Sequence, residues 1–106
     1  MITPLIQPIL KKKICDLTND ELDWAVAKCE GLPVRPFSSD WAFGGALIER
    51  ERIRLVPWVR LKGKPMYGMW YAAIGDNSEG YSAETPLIAA MRCFVAWKMG
   101  RKITVN

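Results

Sequence analysis

The chain has 106 residues, enough for one domain with one hydrophobic core. Half of the residues are hydrophobic and a quarter are charged, which is typical of a globular protein. Fifteen basic against eleven acidic residues leave a net charge of +4, which suits an anionic partner without requiring one. The absence of histidine and of any Cys-x-x-Cys pair excludes the usual zinc sites and histidine-dependent nucleophilic sites. We therefore expect no metal and no cofactor.

The amino-terminal segment is predicted to be an irregular arm, Met1–Leu10, followed by a single domain over residues 11–106. Its apolar run precedes the lysines Lys11–Lys13, the reverse of a secretory signal, and its prolines interrupt any helix. Ile14-Cys15 is predicted to be a short strand. Since no apolar run approaches the ~20 residues that span a bilayer, we expect a soluble protein with no membrane contact.

The cysteines are odd in number and far apart in the chain, which does not suit a disulfide framework. We expect all of them to be reduced, as in a cytosolic protein. They are Cys15, Cys29 and Cys93.

The segment Leu17–Gly31 predicts a well-defined helix. Thr18 and Glu21 have the spacing of a capping box, and Gly31 supplies the carboxyl-terminal stop. One face is apolar and should dock on the core; its residues are Leu22, Ala25, Val26 and Cys29. Trp24 lies on the opposite side of this helix, where we expect a loop to cover it.

The next segments are a proline-containing loop, Leu32–Ser39, and the stretch Asp40–Arg52. The glycine pair in this stretch precedes a possible two-turn helix, although a strand is also compatible with so short a pattern. If the helix forms, its first amides lack partners and could bind an anion, with Trp41 stacking on a base and Arg50 or Arg52 meeting a phosphate. The competing interpretation is that Ser39 or Asp40 only caps the helix and that Trp41 anchors the core.

The middle of the chain predicts a small antiparallel sheet. Ile53–Leu55 alternates in polarity and is limited by Pro57 to an edge strand, and Arg60–Pro65 forms a basic turn. Met66–Ile74 is aromatic-rich and should pair antiparallel with the preceding strand. Gly75–Glu84 is predicted to be a flexible loop.

The segment Thr85–Gly100 predicts a central helix, with Thr85 as N-cap, Pro86 in the first turn and Gly100 as the stop. It has a broad apolar face and a second face of small residues, so we expect it to be covered on more than one side. The small face could receive the Leu17–Gly31 helix or a second copy, and monomer and homodimer both remain open. Ile103–Val105 is predicted to add a final strand.

Acidic residues do not form an evident catalytic constellation. Glu49 and Glu51 would share a face only in a strand, and the arginines beside them favour ordinary ion pairs. We expect no catalytic residue and no enzymatic activity; a hydrolase using Asp40 or Glu49 with a divalent metal is the less favoured alternative.

Three blocks of the sequence resemble one family: D-L-T…L-D-W-A-V-A-K-C-E-G, S-S-D-W-A-F-G-G-A-L-I-E-R-E-R-I and T-P-L-I-A-A-M-R-C-F-V-A. In this order they resemble the NinX-like family of lambdoid phages and prophages, over roughly Lys12–Val105, with Met1–Leu10 as an extension. The resemblance implies a phage accessory protein in the host bacterial cytoplasm, and a plan similar to small phage α/β/α-sandwich domains. It favours a helix for Gly45–Glu51. The elements predicted from the residues form a single α+β domain with its amino- and carboxyl-terminal helices packed on a short antiparallel sheet.

Two functions follow as expectations. The first is a non-enzymatic host-takeover or anti-defence factor that binds a host protein or a small anionic, nucleotide-like ligand. Its candidate binding residues are Ser39, Asp40, Trp41, Gly44, Gly45 and Arg50. The alternative is a nucleic-acid-binding accessory to phage recombination, suggested by four basic clusters: Lys11–Lys13, Arg50–Arg54, Arg60–Lys64 and Arg101-Lys102.

Overall fold

The chain is organised around a carboxyl-terminal helix that is covered by its own domain. The computed structural model describes residues 10–57, 59–66, 68–75 and 80–105. These residues form three helices and short antiparallel sheets, which confirms the predicted α+β domain.

Helix α3 (Pro86–Met99) is the centre of the core. Thr85 Oγ1 accepts a hydrogen bond from the Ile88 amide at 3.1 Å, and the Gly100 amide donates to Ala96 O, so both predicted ends are confirmed. Residues of both its faces are buried, among them Ala89, Met91, Cys93, Phe94 and Val95. The small-residue face is therefore not free for the helix of a second copy.

Helix α1 (Asn19–Glu30) packs against α3. Its predicted capping box is present: the Glu21 amide donates to Thr18 Oγ1, and the Thr18 amide donates to Glu21 Oε1. Leu22 and Val26 are buried as predicted. Trp24 is half-buried and packs against the core, and Lys28 Nζ lies 4.9 Å from its ring centroid. The core therefore covers part of this side chain, where the sequence predicts a loop.

Helix α2 (Trp41–Glu51) settles the choice between helix and strand in favour of helix. It begins before the glycine pair, not after it, because the Asp40 carboxylate caps it. The Ala42 amide donates to Asp40 Oδ1 at 2.9 Å, and the Gly44 amide donates to Asp40 O. The prediction that the glycines precede the helix is wrong.

The main sheet has the order β2-β5-β6, with β2 (Arg54–Val56), β5 (Trp70–Ala73) and β6 (Tyr81–Ala83) all antiparallel. The predicted pairing of the aromatic strand with an edge strand is confirmed. Strand β6 lies where a loop, Gly75–Glu84, is predicted; three residues carry too little periodicity to be recognised. Residues 76–79 of that loop lie outside the described residues.

The predicted basic turn is a hairpin of β3 (Val59–Leu61) and β4 (Lys64–Met66). Lys62 and Gly63 connect the two strands, and both have positive φ, 52° and 79°. This is the conformation of a two-residue type I′ turn, which matches the twist of the strands that it joins. Met66 belongs to this hairpin and not to the aromatic strand.

A separate two-stranded ribbon joins β1 (Leu10–Lys13) to β7 (Lys102–Val105). The final strand is confirmed, but the strand predicted at Ile14-Cys15 is wrong, because these residues form a short 3-10 helix, Ile14–Asp16. Leu10 belongs to the ribbon; the rest of the predicted arm, residues 1–9, lies outside the described residues. In the described ranges, the structure contains no helix with the length and apolarity needed to cross a membrane.

Candidate functional site

Three helices begin around one cleft of about 330 Å³, which we name the helix-start cleft. Asn19 is the first residue of α1, Trp41 is the first residue of α2, and Thr85 caps α3. The volume lies within the range of small-molecule sites. The residues that line it are Asn19, Ser38, Ser39, Trp41, Thr85, Pro86, Leu87 and Ile88.

The cleft contains backbone donors that the helices leave unused. The first amides of a helix have no acceptor within it, and caps satisfy only some of them. Thr18, Asp40 and Thr85 cap the amides of Glu21, Ala42 and Ile88, respectively. Within the described part of the chain, no hydrogen bond involves the amides of Asn19, Trp41 and Leu87. Each helix therefore contributes to the cleft lining one residue whose amide has no described partner, together with the positive end of a helix dipole.

Ser38 adds a buried polar group to the lining. The residue is only 3% exposed, and its Oγ has no hydrogen-bond partner among the residues that the structure describes. Its amide donates to Asp23 Oδ1 at 2.8 Å, which fixes the loop against α1. A buried hydroxyl without a partner destabilises a fold, and such groups in native proteins call for an explanation.

Trp41 supplies an aromatic surface at the cleft. Its side chain is 54% exposed although it lies on a helix that packs against the core. Two carboxylates adjoin residues that line the cleft. Asp40 precedes Trp41 and caps α2, and Asp23 accepts a hydrogen bond from the Ser38 amide. The arrangement therefore combines amide donors and an indole with nearby negative charge.

A family model described as Bacteriophage P22, NinX matches residues 34–98. The chain belongs to the NinX family. The match covers α2, the main sheet, α3 to within a residue of its end, and every lining residue of the cleft except Asn19. No curated protein matches this NinX-family chain. It is a phage accessory protein.

The six residues predicted to bind a ligand do not all meet in this NinX-family structure. Ser39 and Trp41 line the helix-start cleft, and Asp40 lies between them as the cap of α2. Gly45 is half-buried within α2. Asp40 accepts hydrogen bonds from the Ala42 and Gly44 amides, which the predicted anion site would need. Only part of that site is therefore available.

Gly44 and Arg50 have structural partners instead. A Cβ at Gly44 would overlap Phe37 O and lie 2.6 Å from Leu87 Cδ2, so glycine lets α2 approach the loop and α3. Arg50 lies at the far end of α2, where Nη1 and Nη2 donate to Glu30 at 2.6 and 2.9 Å. These hydrogen bonds lower the pKa of Glu30 and raise that of Arg50.

The sequence does not reveal that the amino termini of α1 and α3 face the same cleft. Thr18 and Thr85 are recognisable as caps from the sequence, yet each cap is a local signal that carries no information about the other helices. The one sequence feature that points to the cleft is the Ser38-Ser39 pair before the α2 cap, which marks the loop between α1 and α2.

The remaining reactive groups are dispersed. Among the residues that the structure describes, no cluster of three or more Cys, Asp or Glu is arranged to hold a metal ion. All three cysteines are free, and burial raises the pKa of Cys93 to about 11 and that of Cys29 above its usual value. Glu51 accepts from Arg50 and pairs with Lys98 at 3.5 Å, which matches the ordinary ion pairing expected of it.

Proposed function

We propose that this NinX-family protein binds a small nucleotide-like anion in the helix-start cleft, without catalysis, as a host-takeover or anti-defence factor in the host cytoplasm. The observation that supports the proposal is the convergence of three helix starts on one cleft, each with an amide that has no hydrogen-bond partner among the described residues. Such amides donate hydrogen bonds to anionic oxygens, and the dipoles of the three helices add to the attraction.

The unpaired hydroxyl of Ser38 supports the same ligand. A phosphate or carboxylate oxygen in the cleft would accept from Ser38 Oγ and satisfy a group that is otherwise buried without a partner. The cost of that unsatisfied group is then recovered on binding.

Trp41 determines the expected class of ligand. An exposed indole beside an anion site offers a stacking surface, and stacking of a base on an aromatic side chain contributes about 1–3 kcal/mol. A nucleotide combines both features, an anionic group for the amides and a base for the indole. The cleft has the volume of a mononucleotide-sized site, not of an extended polymer groove.

Thermal-shift and calorimetric titrations test the proposal with inorganic phosphate and nucleoside mono- and triphosphates as probes. At a ligand concentration of ~100 Kd we expect a stabilisation of about 2.7 kcal/mol. Trp41→Ala should weaken nucleotide binding by about tenfold, as expected from lost stacking. Trp97→Ala is the matched control, because Trp97 is 56% exposed and does not line the cleft.

Two further variants probe the polar groups. Ser38→Ala should weaken binding and at the same time stabilise the unliganded protein, because it removes an unpaired buried hydroxyl. Asp40→Asn keeps a good cap and removes a negative charge, so binding of the anion should become several-fold tighter.

The proposal fails if none of these probes raises the melting temperature, or if Trp41→Ala and Trp97→Ala weaken binding equally. Chromatography of the nucleotide after incubation with the protein tests for catalysis. Conversion of the nucleotide to a product would contradict a purely binding role.

A further inference from the structure

We propose that the outward face of the β1–β7 ribbon binds the phosphate backbone of single-stranded nucleic acid, with a base against Tyr81. This surface shares no residue with the helix-start cleft, so the inference stands independently of the proposed ligand.

The pairing of β1 with β7 unites two basic clusters that are distant in the sequence. Lys13 lies directly opposite Lys102, and Lys11 lies opposite Thr104. Because side chains alternate between the faces of a strand, these four residues share one face, and all four are exposed. The opposite face carries Lys12 and the buried Ile103.

Among the described residues, the outward lysines differ from Lys12 because no counter-charge pairs with them. Lys12 Nζ lies 3.0 Å from Glu21 Oε2, which pairs the inner lysine with α1. In the described part of the chain, no carboxylate lies within ion-pair distance of the three outward lysines, Lys11, Lys13 and Lys102. Like charges directly across a ladder destabilise the pair. A polyanion laid along this face would remove that repulsion.

An adjoining cleft gives the surface a place for a base. It has a volume of about 260 Å³, and its lining combines an aromatic residue with basic ones; the residues are Lys13, Ile14, Cys15, Tyr81, Arg101 and Lys102. Aromatic rings beside backbone-binding cations are the combination by which proteins hold single strands. Since bases in a duplex are stacked on each other, the cleft favours an unpaired strand.

The test measures the binding of a labelled oligothymidylate and of a duplex of equal length by fluorescence anisotropy between 50 and 200 mM salt, roughly the range over which phosphate contacts weaken strongly. The ribbon variant replaces Lys11, Lys13 and Lys102 with Gln. The control variant removes equal charge from three exposed residues elsewhere: Arg54→Gln, Lys62→Asn and Lys64→Gln. Asn at position 62 tolerates the positive φ of 52°.

We expect the ribbon variant to lose at least tenfold in single-strand affinity. The slope of log affinity against log salt concentration should fall by about 2, because each of the three lost phosphate contacts contributes ~0.7. The control variant should stay within about threefold of the wild type, while thermal melts show the ribbon variant folded and no less stable. Tyr81→Phe should keep the preference for the single strand over the duplex, and Tyr81→Leu should lose it.

Alkylation of Cys15 gives a second measurement that does not depend on any variant. Cys15 is exposed and lines the cleft, whereas Cys29 is half-buried outside it. Oligothymidylate should slow the alkylation of Cys15 several-fold and leave that of Cys29 unchanged. The inference is overturned if the two triple variants lose affinity equally, if binding is independent of salt, if the duplex binds as well as the single strand, or if Cys15 is not protected.

Discussion

Helices α1 and α2 have similar lengths, 12 and 11 residues, and both pack against α3, but they are held in different ways. Helix α1 has a complete capping box and buries Leu22 and Val26. Helix α2 buries Gly44 and Leu47 and leaves Trp41 and other apolar side chains exposed. The difference indicates that α1 serves the core, whereas α2 leaves part of its apolar surface exposed to solvent.

The largest expected effect concerns the close approach of α2 at Gly44. Gly44→Ala should destabilise the protein by about 3 kcal/mol, because the new methyl overlaps Phe37 O and crowds Leu87. Gly45→Ala is the control: its Cβ would lie 3.4 Å from Trp41 Cε3, so the higher helix propensity should stabilise by about 0.5–1 kcal/mol. Urea unfolding measures both. Equal effects at the two positions would contradict the distinction between the faces of α2.

The next effect concerns the connection from α1 to the loop before α2. Asp23 is 8% exposed and accepts from the Ser38 amide, so Asp23→Ala should cost about 2 kcal/mol by leaving that amide unpaired. Asp23→Asn retains an acceptor oxygen and should cost less. Hydrogen exchange should show the loss of protection at Ser38; protection kept in the alanine variant would show that the bond contributes little.

The caps provide a direct comparison of the two helices. Thr18→Ala removes one half of the α1 capping box and should cost about 1 kcal/mol, whereas Thr18→Ser should be nearly neutral. Asp40→Ala removes the single cap of α2 and should have an effect of similar size, about 1 kcal/mol. Thermal unfolding of the three variants tests this; an unchanged melting temperature for Thr18→Ala would refute the role of the box.

The smallest effect concerns the ion pair that joins the ends of α1 and α2. Arg50 lowers the pKa of Glu30 from its usual 4.5 by hydrogen bonding, so this pair stabilises the fold above that pH. The contribution is lost as pH falls through the lower folded-state pKa. It should be less than about 1 kcal/mol, because Arg50 is half-exposed.

Glu30→Gln should therefore lower the free energy of unfolding at pH 7 and make that free energy fall less steeply below about pH 5. Glu49→Gln is the control, because Glu49 is exposed. Unfolding at a series of pH values gives the difference. Parallel pH profiles for Glu30→Gln and the wild type would exclude a contribution of the pair.

The ends of α1 and α3 can be predicted from local sequence, because the residues that set them act within one turn of their own helices: Thr18, Glu21, Gly31, Thr85 and Gly100. It also indicated the α+β class and the final strand. These features depend on local hydrogen bonds and on periodicity, which are legible in a single segment. The short strands β1 and β6 cannot be recognised from the sequence, because their few residues carry almost no periodic signal.

What the glycines of α2 do depends on packing, since the space at Gly44 is set by Phe37 in the preceding loop and by Leu87 in α3. The same holds for the candidate sites. Ser39 and Trp41 could be selected from the sequence, but their meeting with the starts of α1 and α3 depends on how three helices pack. The opposition of Lys13 and Lys102 likewise arises from strand pairing across almost the whole chain, which no local pattern encodes.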